Sequence, residues 1–318
     1  MFNNKIKGKL DNYFRTEHLL KDSTNGYIRG NCPMCGGKFS FGVNIEDGKT
    51  NCFKCDYNQS PIRLIMELKE FTRYDQLTAY LNDSNSWDFI PIIKKDKKVK
   101  VKPVELPPFY RSINSGTSRL AKSARAYMKG RGFDLIDLMY RGVGYCYDGE
   151  YLGYIVIPYY RDGQLIYWKT RSYIGGKSFK NPDETMFGIG KTQLIYNVDA
   201  LGIYSKVNIV ESETNALTLG DNTIGLAGSN ISPWQMSCLI KSPVQQFNII
   251  LDKDAQGKAL DLAMKLTQYK KVKNVSWEIT EKNEDVNDMG KAVTKWFINH
   301  TPLSTYSDLF REKLNLKK

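Results

Sequence analysis

Two Cys-x-x-Cys pairs constrain the fold of this chain more than any other feature. Cys32 and Cys35 form the first, Cys52 and Cys55 the second, with sixteen residues between them. Two-residue spacing lets both sulfurs of a pair reach one ion, and this separation is that of two knuckles of a single zinc site. Four thiolates fill a tetrahedral Zn²⁺ and leave no open position, so such a site is structural. The segment between the pairs is short and alternating, and Asp47-Gly48 is a hairpin turn signal. Residues 26–60 are therefore expected to form a small β ribbon, with a strand through Phe39–Val43. Ser60-Pro61 then starts a helix, and a second follows over Tyr74–Leu81.

The chain has 318 residues, enough for two or three domains, and a net charge of +12. The excess is uneven. Residues 1–92 carry +1, 93–108 carry +4, 109–205 carry +5 and 206–318 carry +2. A basic middle implies a polyanionic partner. No apolar run is long enough to span a membrane, and the N-terminus lacks a secretory core. Paired knuckle cysteines fit a reducing cytoplasm. Cys146 and Cys238 stand alone and read as buried small hydrophobes.

Residues 91–108, lysine- and proline-containing and without periodicity, read as a solvated linker. Helices are expected near Ser118–Lys129 and Leu135–Arg141. Tyr154–Pro158 and Gln164–Trp168 flank Arg161-Asp162-Gly163, a hairpin whose aromatics read mainly as packing residues. From residue 206 strands and helices alternate, the pattern of a mostly parallel α/β sheet. Its strands fall near Val207–Val210, Thr223–Leu226, Phe247–Leu251 and Val272–Ile279, its helices near Glu213–Leu219, Pro233–Ile240 and Ala255–Gln268. A last amphipathic helix is expected over Lys291–Asn299, then a short tail. No internal repeat and no Walker-type phosphate loop occurs.

Glu211, Asp252 and Asp254 each follow an apolar run, at the carboxyl ends of buried strands where α/β sheets bind ligands. Sparse carboxylates suit Mg²⁺, which keeps water and substrate phosphates as its other ligands. Asp254 has a competing reading as a helix N-cap. A zinc module, an acidic site and a basic middle together point to nucleic-acid polymerisation.

The stretch CPMCGGKFSFGVNIEDGKTNCFKCDYNQSPIRLI resembles the zinc-binding domain of bacterial (DnaG-type) and phage DNA primases, in an all-cysteine form. ARAYMKGRGFDLIDLMYRGVGYC, LGYIVIPYYRDGQLIYWKTRS and FKNPDETMFGIGKTQLIYN resemble the start of that family's polymerase domain. Val210–Leu217, LDKDAQGKAL and Glu284–Asp288 resemble the three acidic motifs of its TOPRIM domain. The likeness runs over roughly residues 15–300, in the family's order. It departs at Ser212, where the family usually has Gly, and at Asn215, where it usually has Asp.

The resemblance implies a fold of three parts: an N-terminal zinc ribbon, a basic mixed α+β subdomain, and a mostly parallel TOPRIM α/β sheet. The expected bounds are 1–90 for the zinc domain, 91–108 linker, 109–205 basic subdomain, 206–282 TOPRIM, and 283–318 for the last acidic motif and C-terminal helices. It implies a DNA primase that makes short RNA primers on single-stranded DNA from ribonucleoside triphosphates. Glu211, Asp252, Asp254 and Asp285 would be catalytic, the first three binding Mg²⁺ or Mn²⁺, with Glu211 a ligand or a general base. Arg131, Lys169, Arg171, Lys180, Asn181 and Lys191 would line the groove for template and nucleotide. One structural Zn²⁺, a cytoplasmic location in a bacterium or infected host, and a separate replicative helicase complete the expectation, since no helicase motor follows residue 318. The rivals are a catalytically weak single-stranded DNA-binding module, which Asn215 would mark, and a TOPRIM nuclease or topoisomerase fragment.

Overall fold

The structure, a computed structural model, describes residues 2–81, 103–176, 179–182, 184–277 and 285–316. Residues 91–102 of the expected linker, the end of the expected strand at Ile279, and Glu284 lie outside these. The described residues contain three four-stranded sheets.

The N-terminal module comprises α1 (Asn4–Thr16), β1 (Lys21–Asp22), β2 (Ile28–Gly30), β3 (Phe41–Asn44), β4 (Lys49–Cys52), α2 (Pro61–Leu68) and α3 (Tyr74–Leu81). Its sheet is antiparallel in the order β1-β2-β3-β4. Phe39 was expected in a strand. Its φ is 49° and its ring 80% exposed, so β3 starts two residues later. Ser60 caps α2 by accepting from the Arg63 amide at 3.2 Å, with Pro61 in the first turn. Sequence patterning did not single out α1. Asn3 caps it, accepting from the Ile6 amide at 3.0 Å, and Ile6, Leu10, Tyr13 and Phe14 form its buried stripe. The Asn3 amide donates to the Ile203 carbonyl at 2.9 Å, and the Phe2 ring stacks on Tyr204.

The middle part holds β5 (Tyr110–Ser112), α4 (Arg119–Gly130), α5 (Leu135–Tyr140), β6 (Gly144–Cys146), β7 (Tyr154–Arg161) and β8 (Gln164–Ser172). The four strands form an antiparallel sheet in chain order. Asp162 (φ 50°) and Gly163 (φ 75°) are both left-handed, the conformation a tight β-hairpin turn needs. Trp168, Tyr145 and Tyr159 are buried, so these aromatics are core residues. Cys146 and Cys238 are buried and unpaired, as expected. Two short helices, α6 (Glu184–Phe187) and α7 (Ala200–Ile203), lead to the third part.

That part runs β9 (Lys206–Val210), α8 (Glu213–Leu219), β10 (Thr223–Gly225), α9 (Pro233–Lys241), β11 (Gln246–Ile250), α10 (Gln256–Leu266), β12 (Lys271–Asn274), α11 (Val286–His300) and α12 (Tyr306–Asn315). The strands are parallel in the order β10-β9-β11-β12. A Cβ on Gly225 would lie 2.8 Å from the Ser212 carbonyl oxygen, so only glycine lets β10 approach the loop after β9. The sheet is covered on both faces. Val207, Ile209, Phe247 and Ile249 share a core with the N-terminal module, while Val210 and Ile250 pack with the middle part. The tail is a helix with a Thr305/Asp308 capping box. It packs Leu309 inward and pairs Lys313 with Asp261 on α10. No helix among the described residues is long and apolar enough to cross a membrane.

Candidate metal and catalytic centres

The four cysteine sulfurs lie within 4.8 Å of one another. Cys32 and Cys55 are 3.9 Å apart at sulfur, as are Cys35 and Cys52. A tetrahedral ion with bonds of about 2.3 Å to sulfur sets its ligands about 3.8 Å apart, so the cluster fits a closed zinc site. Burial pushes the Cys52 thiol up, but the Ser40 hydroxyl and the Lys54 and Cys55 amides outweigh it and bring its pKa to about 6. Donors aimed at sulfur favour the thiolate that a metal requires.

The second centre forms at the carboxyl ends of the parallel strands. Glu211 follows β9 directly. Asp252 follows β11 by one residue, and Asp254 sits in the 3₁₀ turn Lys253–Ala255. Neither aspartate is spent on capping: the turn's N-cap is Asp252, without a side-chain cap bond, and α10 is preceded by Ala255. Asp254 is exposed, while Glu211 and Asp252 are partly buried. Burial, then Glu211, Asp285 and Asp254, push the Asp252 pKa up to about 7, against the hydrogen bond from Asn215. Burial and Asp254 likewise raise Glu211, with Lys258 and Lys169 opposing. These carboxylates repel each other, which a divalent cation would relieve. Among the described residues only the cysteines close up tightly enough to enclose one ion. The looser acids fit a cation that keeps water or phosphate oxygens.

Asp285 is partly committed, capping α11 by accepting from the Asp288 amide at 2.9 Å. Asn215 is fully buried. Its Nδ2 donates to Asp252 Oδ1 at 3.0 Å, and its Oδ1 has no partner. The amide thus orients one acid of the centre. Ser212 caps α8, accepting from the Asn215 amide at 3.2 Å.

The expected groove residues are less free than their sequence suggests. Lys169 and Arg171 point to one face of β8, with Thr170 buried on the other. Lys169 Nζ is 3.1 Å from Glu213 Oε2, which also accepts from the Tyr159 hydroxyl at 3.0 Å. Arg171 donates to the Tyr127 hydroxyl at 2.8 Å. Arg131 donates to Asn287 Oδ1 at 2.5 Å, tying α4 to α11. Lys180 pairs with Glu150 at 3.1 Å. Asn181 Oδ1 accepts from the Thr170 amide at 2.9 Å, holding its loop on β8. Lys191 is exposed and makes no side-chain hydrogen bond or ion pair among the described residues. Two residues that the sequence did not single out join this centre. Glu213 is buried in the first turn of α8, and Lys258 faces Glu211 while donating to Ser229 at 2.8 Å. The signal for Lys258 was its place four residues after Asp254, one helical turn on.

No family model and no curated protein matches the sequence. Solved structures do. The zinc-binding and RNA polymerase domains of the Aquifex aeolicus primase superpose with a TM-score of 0.51 at 18% identity, over 99% of this chain and 89% of that one. The DnaG catalytic core matches with a TM-score of 0.53 at 13% identity, over 63% of this chain and 79% of that one. The DnaG primase catalytic domain bound to single-stranded DNA gives 0.53 at 14% identity, over 65% and 78%. At these identities the likeness is one of fold. This chain has the fold of primase zinc-binding and RNA polymerase domains, with a TOPRIM-like parallel sheet.

Proposed function

We propose that this chain is a DNA primase that copies single-stranded DNA into short RNA primers. The observation that carries this reading is the uncapped Asp252 and Asp254 beside Glu211, at the carboxyl end of a parallel sheet in a primase-like fold. The 3′-hydroxyl of one ribonucleotide attacks the α-phosphorus of the next triphosphate, and pyrophosphate leaves. Mg²⁺ or Mn²⁺, held by Glu211, Asp252 and Asp254 with Asp285 nearby, would neutralise charge on the phosphate oxygens. Asn215 keeps Asp252 oriented. Glu211 either completes the donor set or accepts the hydroxyl proton. Lys191, Arg171 and Lys169 supply positive charge toward template and triphosphate. One Zn²⁺ on the four cysteines holds the ribbon, which contacts the template. A replicative helicase is the expected partner, in a cytoplasmic setting.

The test is direct. The protein is incubated with single-stranded DNA, labelled ribonucleotides and Mg²⁺ or Mn²⁺, and short RNA is sought. Absence of product on varied templates with both metals would replace the enzyme by a single-stranded DNA-binding module.

A further inference from the structure

The face of the parallel sheet that carries Val210 and Ile250 is apolar only toward its carboxyl end. Toward the amino end, β9 carries Lys206 and Asn208, and β11 carries Gln246 and Asn248, in register. Lys273 of β12 sits beside Asn248. A parallel sheet covered on both faces ordinarily places Val, Ile or Leu at such positions. Here they open into a cleft of about 590 Å³, to which α11 adds Lys291 and Lys295 and the ribbon turn adds Asp47 and Gly48.

The carboxamides form a chain along the floor. Gln246 donates to Asn248 at 2.8 Å, Asn248 to Asn208 at 2.8 Å, and Asn208 to Thr223 at 3.1 Å. Four ammonium groups stand around it. Two of the three nearby acids are already committed, Asp137 to Arg63 at 2.7 Å and Asp221 to Arg141 at 2.6 Å. The third, Asp47, accepts from Asn44. The ammonium groups of Lys206, Lys291 and Lys295 make no hydrogen bond or ion pair among the described residues, while that of Lys273 donates to the Ile298 carbonyl at 2.8 Å. The lysines also oppose one another. Burial and then Lys291 push Lys295 down, with Asp221 opposing, and burial and then Lys206 push Lys273 down. Lys206, Lys291 and Lys295 are exposed and Lys273 is partly buried, and all four line one cleft with the buried amides, where an anion would relieve their mutual repulsion.

We infer that this cleft is a second, non-reacting site for a nucleoside di- or triphosphate, with phosphates on the lysines and the base edge on the carboxamides. A polyphosphate needs several cations converging on one place, which these four supply. Asn and Gln side chains pair well with adenine edges. The volume is that of a small-molecule site, whereas a nucleic-acid strand needs an extended groove. The site lies at the strand ends opposite Glu211, Asp252 and Asp254, so it goes beyond primer synthesis and stands without it. Its ligand would touch both the parallel sheet and the ribbon turn.

The test titrates the full chain calorimetrically with ATP, tripolyphosphate and an oligo-dT, without added divalent cation, and repeats this on Lys291→Ala/Lys295→Ala. ATP and tripolyphosphate should bind, about tenfold more weakly to the double variant, as loss of charge-assisted contacts implies. ATP should also slow hydrogen exchange over residues 219–222 and 291–299. Lys206→Ala, at an exposed strand end, serves if the double variant misfolds. Three results would overturn the inference: no binding of ATP or tripolyphosphate at millimolar concentration, unchanged affinity in a folded lysine variant, or loss of oligo-dT binding alone. The last would make the cleft a nucleic-acid contact instead.

Discussion

Replacing Lys169 by methionine separates its structural from its functional charge. The Lys169 side chain is 17% exposed and that of Glu213 is 8% exposed, so the pair is largely dry. Without the ammonium group, the Glu213 carboxylate keeps, among the described residues, only the Tyr159 hydroxyl as a hydrogen-bond donor. Removing one partner of a fully buried pair costs about 3–5 kcal/mol. The remaining exposure of Lys169 lets water in, which lowers the expectation to about 2–3 kcal/mol. Glu213→Gln on top of Lys169→Met removes the stranded charge and keeps an acceptor for Tyr159, so most of the loss should return. The double-mutant cycle in urea, followed by the fluorescence of buried Trp168, should give a coupling of about 2 kcal/mol. A coupling below about 0.5 kcal/mol would refute the buried pair and return Lys169 to a free cation. The restored double variant also tests function. If it folds well but primes poorly, the lost charge acted on Glu211 and the substrate phosphates.

Four further outcomes are expected. Purified protein should carry about one Zn²⁺ per chain, and Cys52→Ser should release it; metal analysis that finds none would remove the site. Asp254→Ala and Glu211→Gln should each lower primer synthesis by orders of magnitude while leaving DNA binding intact; full synthesis by both would move the active site elsewhere. Affinity for single-stranded DNA should fall steeply with salt, and Lys191→Ala should flatten the slope by roughly one charge; an unchanged slope would place Lys191 outside the interface. Burial raises buried Asp199 to about 7, despite hydrogen bonds from the Asp162 amide and Thr78. The folded state then binds more protons than the unfolded one between about pH 4 and 7, so this group makes stability fall as pH rises through that window. Asp199→Asn should flatten this fall; thermal melts showing the same pH slope in both proteins would reject it.

Much of the fold was legible because local signals agreed with it. The helices at Tyr74–Leu81 and Glu213–Leu219 and the Asp162-Gly163 hairpin fall where caps, turns and periodicity put them. Helix α1 was not legible, because its stripe of Ile6, Leu10 and Tyr13 is interleaved with lysines and its meaning depends on the distant residues it packs with. In the candidate site, apolar runs ending in acids located Glu211, Asp252 and Asp254. Sequence did not reveal that Asp285 caps a helix or that Lys169 faces Glu213, since both depend on where separate elements meet. Asn215 looked like a loss when read as a missing acid. In place, it is a buried donor to Asp252.

Asn3 at the start of α1 also donates to the Gly202 carbonyl, 199 residues further along. During synthesis this has a cost in time. At about 5–20 residues per second, the partner of Asn3 emerges roughly 10–40 s after Asn3 itself. Until then the apolar stripe of α1 has no share in the core it later forms with Val207 and Phe247. The α1 stripe can meet α3 early, through Tyr13 and Tyr80, but the part of its cover that comes from the parallel sheet arrives only late. The cysteine ribbon is complete by residue 55 and needs only metal to close. It can give the waiting segment one folded neighbour, so zinc supply during translation, and not only in the finished protein, should govern how much chain escapes aggregation.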